Sequence, residues 1–351
     1  MTSLAFLVPG RLDQLTGGYL FDRRIVDGLR AGGRHVEAIE LAGSFPDADE
    51  IARAAVGAAL AGLPDAAAAV IDGLALLGAE DCLAAAARRL RLIGFVHHPL
   101  ASETGLSASA SARIAGLEGG LLRLLRGAIC PSEEMAAALR AYGVAAARIA
   151  VVPPGTTKPA SSRPAARQPG PARLLTVASV TPRKGHLVLI AALARLGGPD
   201  WRLRCVGSLA RDPAAVTALR EAITRHGLAD RVTLVGERPT SELATEYQAA
   251  DCFVLPSFHE GYGMAFAEAL SHGLPVVAAR AGAVPSTVPE SAGLLVPPGD
   301  VGALADALRR IIAEPDLRER LAAGALAAGA LLPDWDHAVR CWAAAFDRLV
   351  A

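Results

Sequence analysis

The sequence has 351 residues, a length that suits two domains rather than a single one. Basic and acidic residues number 35 each, so the chain has no net charge and lacks the basic excess expected of a nucleic-acid-binding protein. Apolar residues make up 52% of the chain, but much of that share is alanine and charges interrupt the longest runs, so no membrane-spanning helix is predicted.

The first half of the chain alternates short apolar runs with longer helical patterns, which predicts βαβ units around a parallel sheet. No basic residues precede the N-terminal apolar run, so we interpret it as a buried strand rather than a signal peptide. Several runs are continuously apolar, as is typical of strands buried on both faces. The predicted strands are Leu4–Val8, His35–Leu41, Ala68–Ile71, Leu92–His97, Ala128–Cys130 and Ile149–Val152, and the helices between them include Tyr19–Ala31, Ile51–Leu63 and Asp81–Leu90.

A segment rich in proline, glycine and serine, Pro153–Pro171, interrupts this pattern and is typical of a hinge. We therefore assign residues 1–155 to an N-terminal domain, 156–171 to a hinge linker and 172–333 to a C-terminal domain. Residues 334–351 hold a last helix, which we assign to the N-terminal domain while leaving packing on the second domain open. The strands predicted after the hinge are Arg173–Val180, Arg202–Val206, Val232–Val235, Cys252–Leu255, Pro275–Ala278 and Gly293–Val296.

Ligands of parallel sheets bind beyond the carboxyl ends of the strands, so the residues that follow each strand are the first candidates for a site. Gly17 and Gly18 precede a predicted helix, where the backbone can approach a ligand and the helix N-terminus favours an anion; a flexible turn is the alternative. His97 and His98 end the fourth strand, and one of them is predicted to hydrogen-bond a ligand or to act as an acid or base.

Two cations, Arg183 and Lys184, lie just before the helix predicted to start near His186. A cation at this end of a helix is unfavourable by roughly 0.3–1 kcal/mol, unless an anion binds there. Lys158 and Lys184 are the two lysines of a chain that otherwise uses arginine, and lysine offers a compact charge suited to phosphate. The pattern predicts an anion site, with a solvated basic turn as the alternative.

The segment 255–288 combines two glutamates with a glycine-rich loop before a helix. Gly261 and Gly263 free the backbone N–H groups at the helix start, near Met264, to bind a phosphate. Glu268 lies one helical turn beyond Met264, where a carboxylate can accept hydrogen bonds from a ribose diol. Glu260 lies in the loop and can meet sugar hydroxyls. The alternative is that both glutamates are ordinary surface charges.

These motifs resemble the retaining glycosyltransferases of family 4, which have the two-domain GT-B fold. The resemblance rests on the E-x7-E spacing from Glu260 to Glu268, on SVTPRKGHLVLIAAL, on PPG at 153–155 and on AGLLVPPGD at 292–300. It implies an α/β fold of two Rossmann-like, doubly wound parallel-sheet domains that face a central cleft. It also favours His97 over His98 as the cleft histidine.

The resemblance implies a role for each candidate residue. The catalytic residues that it implies, which contact the diphosphate and the donor sugar, are His97, Arg183, Lys184 and Glu260. Residues that bind the donor, from the base and ribose to the phosphates, are Gly17, Gly18, Glu237, Arg238, Gly261, Gly263, Met264, Ala265 and Glu268. Closure about the hinge would exclude water from the site.

No metal or other cofactor is expected, because the chain has no D-x-D motif near the phosphate motifs. Asp47–Asp49 and Asp334–Asp336 match D-x-D formally, but we interpret them as helix-capping acids. Protein cations and helix N-termini would then stabilise the leaving diphosphate. The resemblance implies retention of the anomeric configuration by attack on the same face.

The sequence thus predicts transfer of a sugar from a nucleotide-sugar donor, with a UDP-sugar favoured and GDP-mannose next, to an unknown hydroxyl acceptor in glycan or glycolipid synthesis. A non-catalytic nucleotide-sugar-binding protein and a related epimerase or phosphorylase stay as alternatives. A dehydrogenase lacks support, since no G-x-G-x-x-G turn follows a strand. Five scattered cysteines favour a cytoplasmic setting. A core-facing helix is favoured for Arg113–Arg126, which leaves open a weak contact with the inner face of a membrane.

Overall fold

The computed structural model describes residues 4–159, 170–197 and 200–351. The chain divides into two compact units, one formed up to Gly155 together with Pro333–Ala351, the other by Thr156–Leu332. The hinge assigned to 156–171 falls largely on residues 160–169, which lie outside the described residues.

The first unit is built on a six-stranded parallel sheet in the order β2-β1-β3-β4-β5-β6. Its central strands are buried along their whole length, because helices cover both faces, as the continuous apolar runs predict. The strands are β1 (Leu4–Pro9), β2 (Val36–Leu41), β3 (Ala68–Asp72), β4 (Arg91–Phe95), β5 (Gly127–Cys130) and β6 (Ile149–Val151).

Helices pack on both faces of this sheet, and their starts follow capping rules. Asp49 accepts the N–H of Ala52 at 2.8 Å, and Asp334 accepts that of His337 at 2.7 Å, which confirms that these two aspartates cap helices. The helices of the first unit are α1 (Gly17–Ala31), α2 (Glu50–Gly62), α3 (Leu83–Arg89), α4 (Ala108–Leu124), α5 (Glu133–Ala141) and, from the last part of the chain, α13 (Trp335–Val350).

The last helix, α13, completes the core of the first unit. The Trp342 ring lies 6.0 Å from that of Phe6 on β1 and 5.8 Å from that of Phe95 on β4, measured between centroids. Gly28 on α1 lets the two helices approach, since a Cβ there would lie 2.4 Å from a methyl of Val339. Because Trp342 and Phe95 are fully buried, α13 belongs to this core as much as the strands do.

The second unit repeats the architecture with the sheet order β12-β11-β10-β7-β8-β9. Its strands are β7 (Ala172–Val177), β8 (Trp201–Val206), β9 (Val232–Gly236), β10 (Cys252–Leu255), β11 (Val276–Ala279) and β12 (Gly293–Val296). Its helices are α6 (His186–Ala194), α7 (Pro213–Arg225), α8 (Thr240–Ala249), α9 (Met264–Ser271), α10 (Val284–Thr287), α11 (Val301–Ala313) and α12 (Pro315–Leu331).

Two strands end earlier than the sequence predicts. β4 ends at Phe95 rather than His97, and β7 ends at Val177 rather than Val180. The N–H of Val96 still bonds to Ile129 at 2.9 Å, but the chain then leaves the sheet and His97 lies in the loop. The core-facing interpretation of α4 is confirmed, since Glu118 and Leu122 on it are buried. Among the described residues, no helix combines the length and apolar character needed to cross a membrane.

Candidate active site

In the second unit, the loops that follow β7 and β10 meet because these two strands are neighbours in the sheet. The N–H of Phe258 donates to the carbonyl of Arg183 at 2.8 Å, and the Arg183 guanidinium donates to the carbonyl of His259 at 2.8 Å. These reciprocal bonds hold the Arg183–Lys184 turn against the segment that carries Glu260. The two motifs that the sequence singles out are therefore one site.

Gly185 is the residue that permits this contact. Its φ of +71° lies in the left-handed region, and a Cβ at this position would lie 2.2 Å from the carbonyl oxygen of Pro256. A side chain would therefore push the turn away from the end of β10. The same residue caps α6, so it also fixes where the helix starts.

Lys184 and Glu260 form a largely buried ion pair. The Lys184 Nζ lies 2.7 Å and 3.0 Å from the two carboxylate oxygens of Glu260, whose residue is 6% exposed. The Arg183 guanidinium lies 3.8 Å from the same carboxylate. Burial alone would raise the pKa of Glu260, but the attraction of the two cations outweighs it and lowers that pKa. Two cations thus face the Glu260 carboxylate beside the start of α6, an end of a helix where an anion is favoured.

The loop after β11 supports Glu260 from a third direction. Gly282, at φ +54°, approaches so closely that a Cβ would lie 2.3 Å from the carbonyl oxygen of Glu260. The N–H of Ala283 donates to that same carbonyl at 2.9 Å. The loops after β7, β10 and β11, three neighbouring strands of the sheet, therefore hold the segment that carries Glu260. Sequence reasoning missed Gly282, although a glycine just after a strand is a signal for close approach.

The glycine-rich loop leads into α9 with the geometry of an anion site. Gly263 lies at φ +89° as the residue before the helix, and a Cβ there would overlap the Phe266 ring. The first turn of a helix leaves its backbone N–H groups without intrahelical acceptors, and here they belong to Met264 and Ala265. Gly261, in the loop before them, is buried. Backbone donors are therefore available at the start of α9, and their contact with a phosphate stays a prediction.

Glu268 lies one turn into α9 and is held by a tyrosine that the sequence did not single out. The Tyr247 hydroxyl, on α8, donates to Glu268 Oε2 at 2.8 Å. The Tyr247 ring also stacks on His272, with centroids 5.1 Å apart. Burial raises the pKa of Glu268, while the hydrogen bond from Tyr247 opposes that rise. Within the described parts of the chain, no hydrogen bond to the second carboxylate oxygen, Oε1, is found.

Glu237 and Arg238 lie directly after β9, the outer strand of the second sheet. Among the described residues, the ion pair of Arg238 is with Glu242, in the first turn of α8, at 3.5 Å. The structure therefore groups these two residues with α8 rather than with the Lys184–Glu260 pair. Their contact with a base stays a prediction.

In the first unit, His97 lies against the glycine pair that starts α1. A Cβ on Gly18 would lie 3.3 Å from the His97 ring, and Gly17, beside it, is exposed. The ring also packs 4.5 Å from that of Phe95. His98 is turned to Glu103, with Nε2 2.7 Å from its Oε1. The structure thus brings Gly18 and His97 together and pairs His98 elsewhere.

Two aspartates that the sequence did not single out hold the His97 ring. Its Nε2 lies 2.9 Å from Asp22 Oδ1 and 3.4 Å from Asp72 Oδ2, and both carboxylates are almost fully buried. The sequence signal is weak: an aspartate amid Phe21, Ile25 and other apolar residues of α1, and another that ends a buried strand. Burial alone would lower the pKa of His97, but the two aspartates raise it to about 10.

Two family models match the chain. The model described as Glycosyl transferases group 1 matches residues 157–327, and the model described as Glycosyltransferase Family 4 matches residues 73–157. Together they run from the end of β3 through most of the second unit. They include His97, Lys184, Glu260 and Glu268.

Similar curated proteins bear the name D-inositol 3-phosphate glycosyltransferase. The protein from Xylanimonas cellulosilytica is 37% identical in an alignment of 221 positions that covers 59% of this chain and 52% of that protein. The protein from Thermobifida fusca is 34% identical in an alignment of 213 positions that covers 55% of this chain and 48% of that protein. The chain thus spans about half the length of the curated relatives it matches.

Solved structures resemble the chain over nearly its whole length. Sucrose-phosphate synthase from Thermosynechococcus elongatus has a TM-score of 0.81 at 24% identity, over 99% of both chains. HepE from Anabaena, solved with UDP and glucose, has a TM-score of 0.74 at 22% identity, over 98% of this chain and 99% of that one. These likenesses confirm the fold class predicted from the sequence.

Proposed function

The chain belongs to the family 4 glycosyltransferases of the GT-B fold, and we propose that it transfers a sugar from a nucleotide-sugar donor to a hydroxyl acceptor. The observation that carries the proposal is the buried pair of Lys184 and Glu260, with Arg183 beside it, at the start of α6. Cleavage of a sugar–phosphate bond leaves charge on a diphosphate. Preorganised cations and helix N-termini stabilise such charge strongly in a site that excludes water.

Each part of the donor has a group of matching chemistry in this proposal. Arg183, Lys184 and the N–H groups of Met264 and Ala265 bind the diphosphate, while Glu268 accepts hydrogen bonds from the ribose. Glu260 orients the donor sugar through its fixed loop, and His97 contacts the same sugar from the first unit. Gly17–Gly18 close on the diphosphate. The resemblance supplies these roles, and the contacts described above support them.

The proposed reaction proceeds with retention and without a metal. Arg183 and Lys184 supply the positive charge that a metal would bring to the leaving diphosphate. Transfer should therefore proceed unchanged in excess EDTA, measured as product formed from a nucleotide sugar. A loss of activity that manganese restores would contradict the metal-free part of the proposal and leave the sugar-transfer part standing.

The donor is proposed to be a UDP-sugar, with GDP-mannose next. A thermal-shift comparison of UDP, GDP and ADP tests the choice, because a ligand present at 100 times its Kd stabilises the folded state by about 2.7 kcal/mol. One nucleotide should raise the Tm by several degrees, and no response to any of the three would contradict the nucleotide site. Binding without transfer would favour a non-catalytic binding protein, and a new sugar isomer in the absence of acceptor would favour an epimerase.

Tyr247→Phe tests the placement of Glu268. Loss of one hydrogen bond to this carboxylate should raise the KM for the donor by about 10- to 100-fold, with a smaller change in kcat, since a hydrogen bond to a charged group contributes about 1.5–3 kcal/mol. Tyr142→Phe is the matched control, because Tyr142 hydrogen-bonds Glu118 in the first unit. Equal effects of the two substitutions on the donor KM would argue against the assignment of Glu268.

A further inference from the structure

The cluster around His97 is assembled from three elements of the first unit. Asp22 lies four residues after Gly18 on α1, so both face the same side of the helix and meet the imidazole. Asp72 is the last residue of β3 and pairs in register with Phe95 of β4, two residues before His97. Sheet order and helical spacing therefore place both carboxylates against one ring nitrogen.

The two nitrogens of His97 have different surroundings. Nε2 has both carboxylates within 3.4 Å. For Nδ1, no hydrogen-bond partner is found within residues 4–159, 170–197 and 200–351. The side chain is 14% exposed, whereas those of Asp22 and Asp72 are 1% and 2% exposed. Nδ1 is therefore the nitrogen left to meet a ligand.

The charges of the cluster favour a protonated ring. A buried carboxylate without a counter-charge is costly, and two lie here within contact of a single titratable base. Asp22 and Asp72 are the charged groups that reach His97 from α1 and β3, while the neighbouring His98 is paired with Glu103. Asp22 Oδ2 is also buried without a hydrogen bond among the described residues. Burial, together with the neighbouring carboxylate of Asp72, raises the pKa of Asp22 to about 7 although His97 opposes the rise, so both carboxylates carry their charge at pH 8.

We propose that Asp22 and Asp72 are positioning residues that keep His97 as an imidazolium, with Nε2 held by their carboxylates and Nδ1–H presented to the donor sugar as a hydrogen-bond donor. The contact between His97 and the donor sugar rests on the function proposed above. An imidazolium cannot accept a proton, so His97 does not serve as a general base. The sequence left open whether a histidine here donates a hydrogen bond or acts as an acid or base, and the cluster rules out the base.

The charge of His97 can be measured without any assay of transfer. We expect NMR of the full chain with labelled histidine side chains, in EDTA, to show both His97 nitrogens protonated at pH 8, with the signal assigned by its loss in His97→Gln. In Asp22→Asn and Asp72→Asn, the pKa of His97 should fall towards its ordinary value of 6.5. A neutral His97 at pH 8 in the unaltered protein would overturn the proposal, even if sugar transfer is established.

Enzyme kinetics test the positioning role. In Asp22→Asn and Asp72→Asn, kcat should fall by roughly 10- to 100-fold, the loss expected of one hydrogen bond to a charged group. The alkaline limb of the kcat/KM profile should move to lower pH in both variants. Asp27→Asn, at an exposed position of α1, is the matched control and should change neither.

Folding is monitored separately by Tm, since asparagine keeps the shape of each side chain and can still accept the 2.6 Å bond from the Leu74 N–H to Asp72. Reduced activity with an unchanged pH profile would reduce the aspartates to a structural role and overturn the proposal. Absence of transfer by the unaltered protein would instead contradict the proposed function, and the NMR result would still decide the charge of His97.

Discussion

Lys184→Ala should lower kcat/KM for sugar transfer by about 100- to 1000-fold, the loss typical of removing one group that stabilises transition-state charge. It should also destabilise the second unit by about 3–5 kcal/mol, because the Glu260 carboxylate would keep its charge while losing the cation 2.7 Å away. Both effects come from one contact. Initial rates and chemical denaturation measure them independently.

A double variant separates the two effects. Lys184→Met with Glu260→Gln removes both charges of the pair, so we expect stability to recover most of the loss while activity stays low. Wild-type activity in Lys184→Ala would contradict the placement of the leaving diphosphate. A stability loss that persists in the double variant would show that the Lys184–Glu260 contact itself stabilises the loops, because methionine keeps most of the lysine stem and no unpaired carboxylate remains.

The pH dependence of stability follows from the same pair. Arg183 and Lys184 hold the pKa of Glu260 below its unfolded value of 4.5, so the pair stabilises the folded state fully above that value. The contribution is lost as the pH falls through the lower, folded-state pKa. Lys184→Ala raises that folded-state pKa, because burial then acts against a single remaining cation. The variant should therefore lose this contribution at a higher pH than the unaltered protein.

Gly185→Ala should destabilise the second unit by about 3–5 kcal/mol and abolish most transfer activity, because the methyl group would meet the Pro256 carbonyl in a strained left-handed backbone. The turn would have to withdraw from β10, taking Arg183 and Lys184 away from Glu260. Urea unfolding and transfer rates, measured on the same preparation, report the two losses.

Gly227→Ala separates crowding from backbone strain. Gly227 also has a positive φ, +65°, but nothing lies within 4 Å of a Cβ built there. The Gly227→Ala variant should therefore be destabilised only by the cost of a left-handed backbone at a residue with a side chain, about 1 kcal/mol, and it should keep full activity. Equal losses at the two glycines would contradict the crowding argument, and activity retained in Gly185→Ala would show that the turn need not contact the end of β10.

Local signals predicted most of the fold. Continuous apolar runs such as Val70–Ile71 and Phe253–Leu255 mark strands buried on both faces, and twelve predicted runs became two sheets of six. Strand ends were less predictable. Leu92–His97 is apolar through Val96, and only the contacts of His97 with α1 and β3 show that the chain has already left the sheet.

The site was predictable where its chemistry is local. Arg183 and Lys184 conflict with a helix dipole a few residues away, and Glu260 and Glu268 share one short segment. The side chains that hold two of the candidate residues are distant from them in sequence. Asp22 is 75 residues from His97, and Tyr247 is 21 residues from Glu268. Their meeting depends on sheet order and helix packing, which no local pattern encodes.

The return of α13 to the first unit has a consequence for synthesis on the ribosome. Phe6 and Phe95 emerge early, but Trp342, which covers them, is translated only after the whole of the second unit. Until Trp342 is translated, the apolar surface that it covers stays exposed in the first unit, whereas all residues of the second unit are already present. We therefore expect the core of the first unit to be completed only after Trp342 has been translated, which is later than the last residue of the second unit.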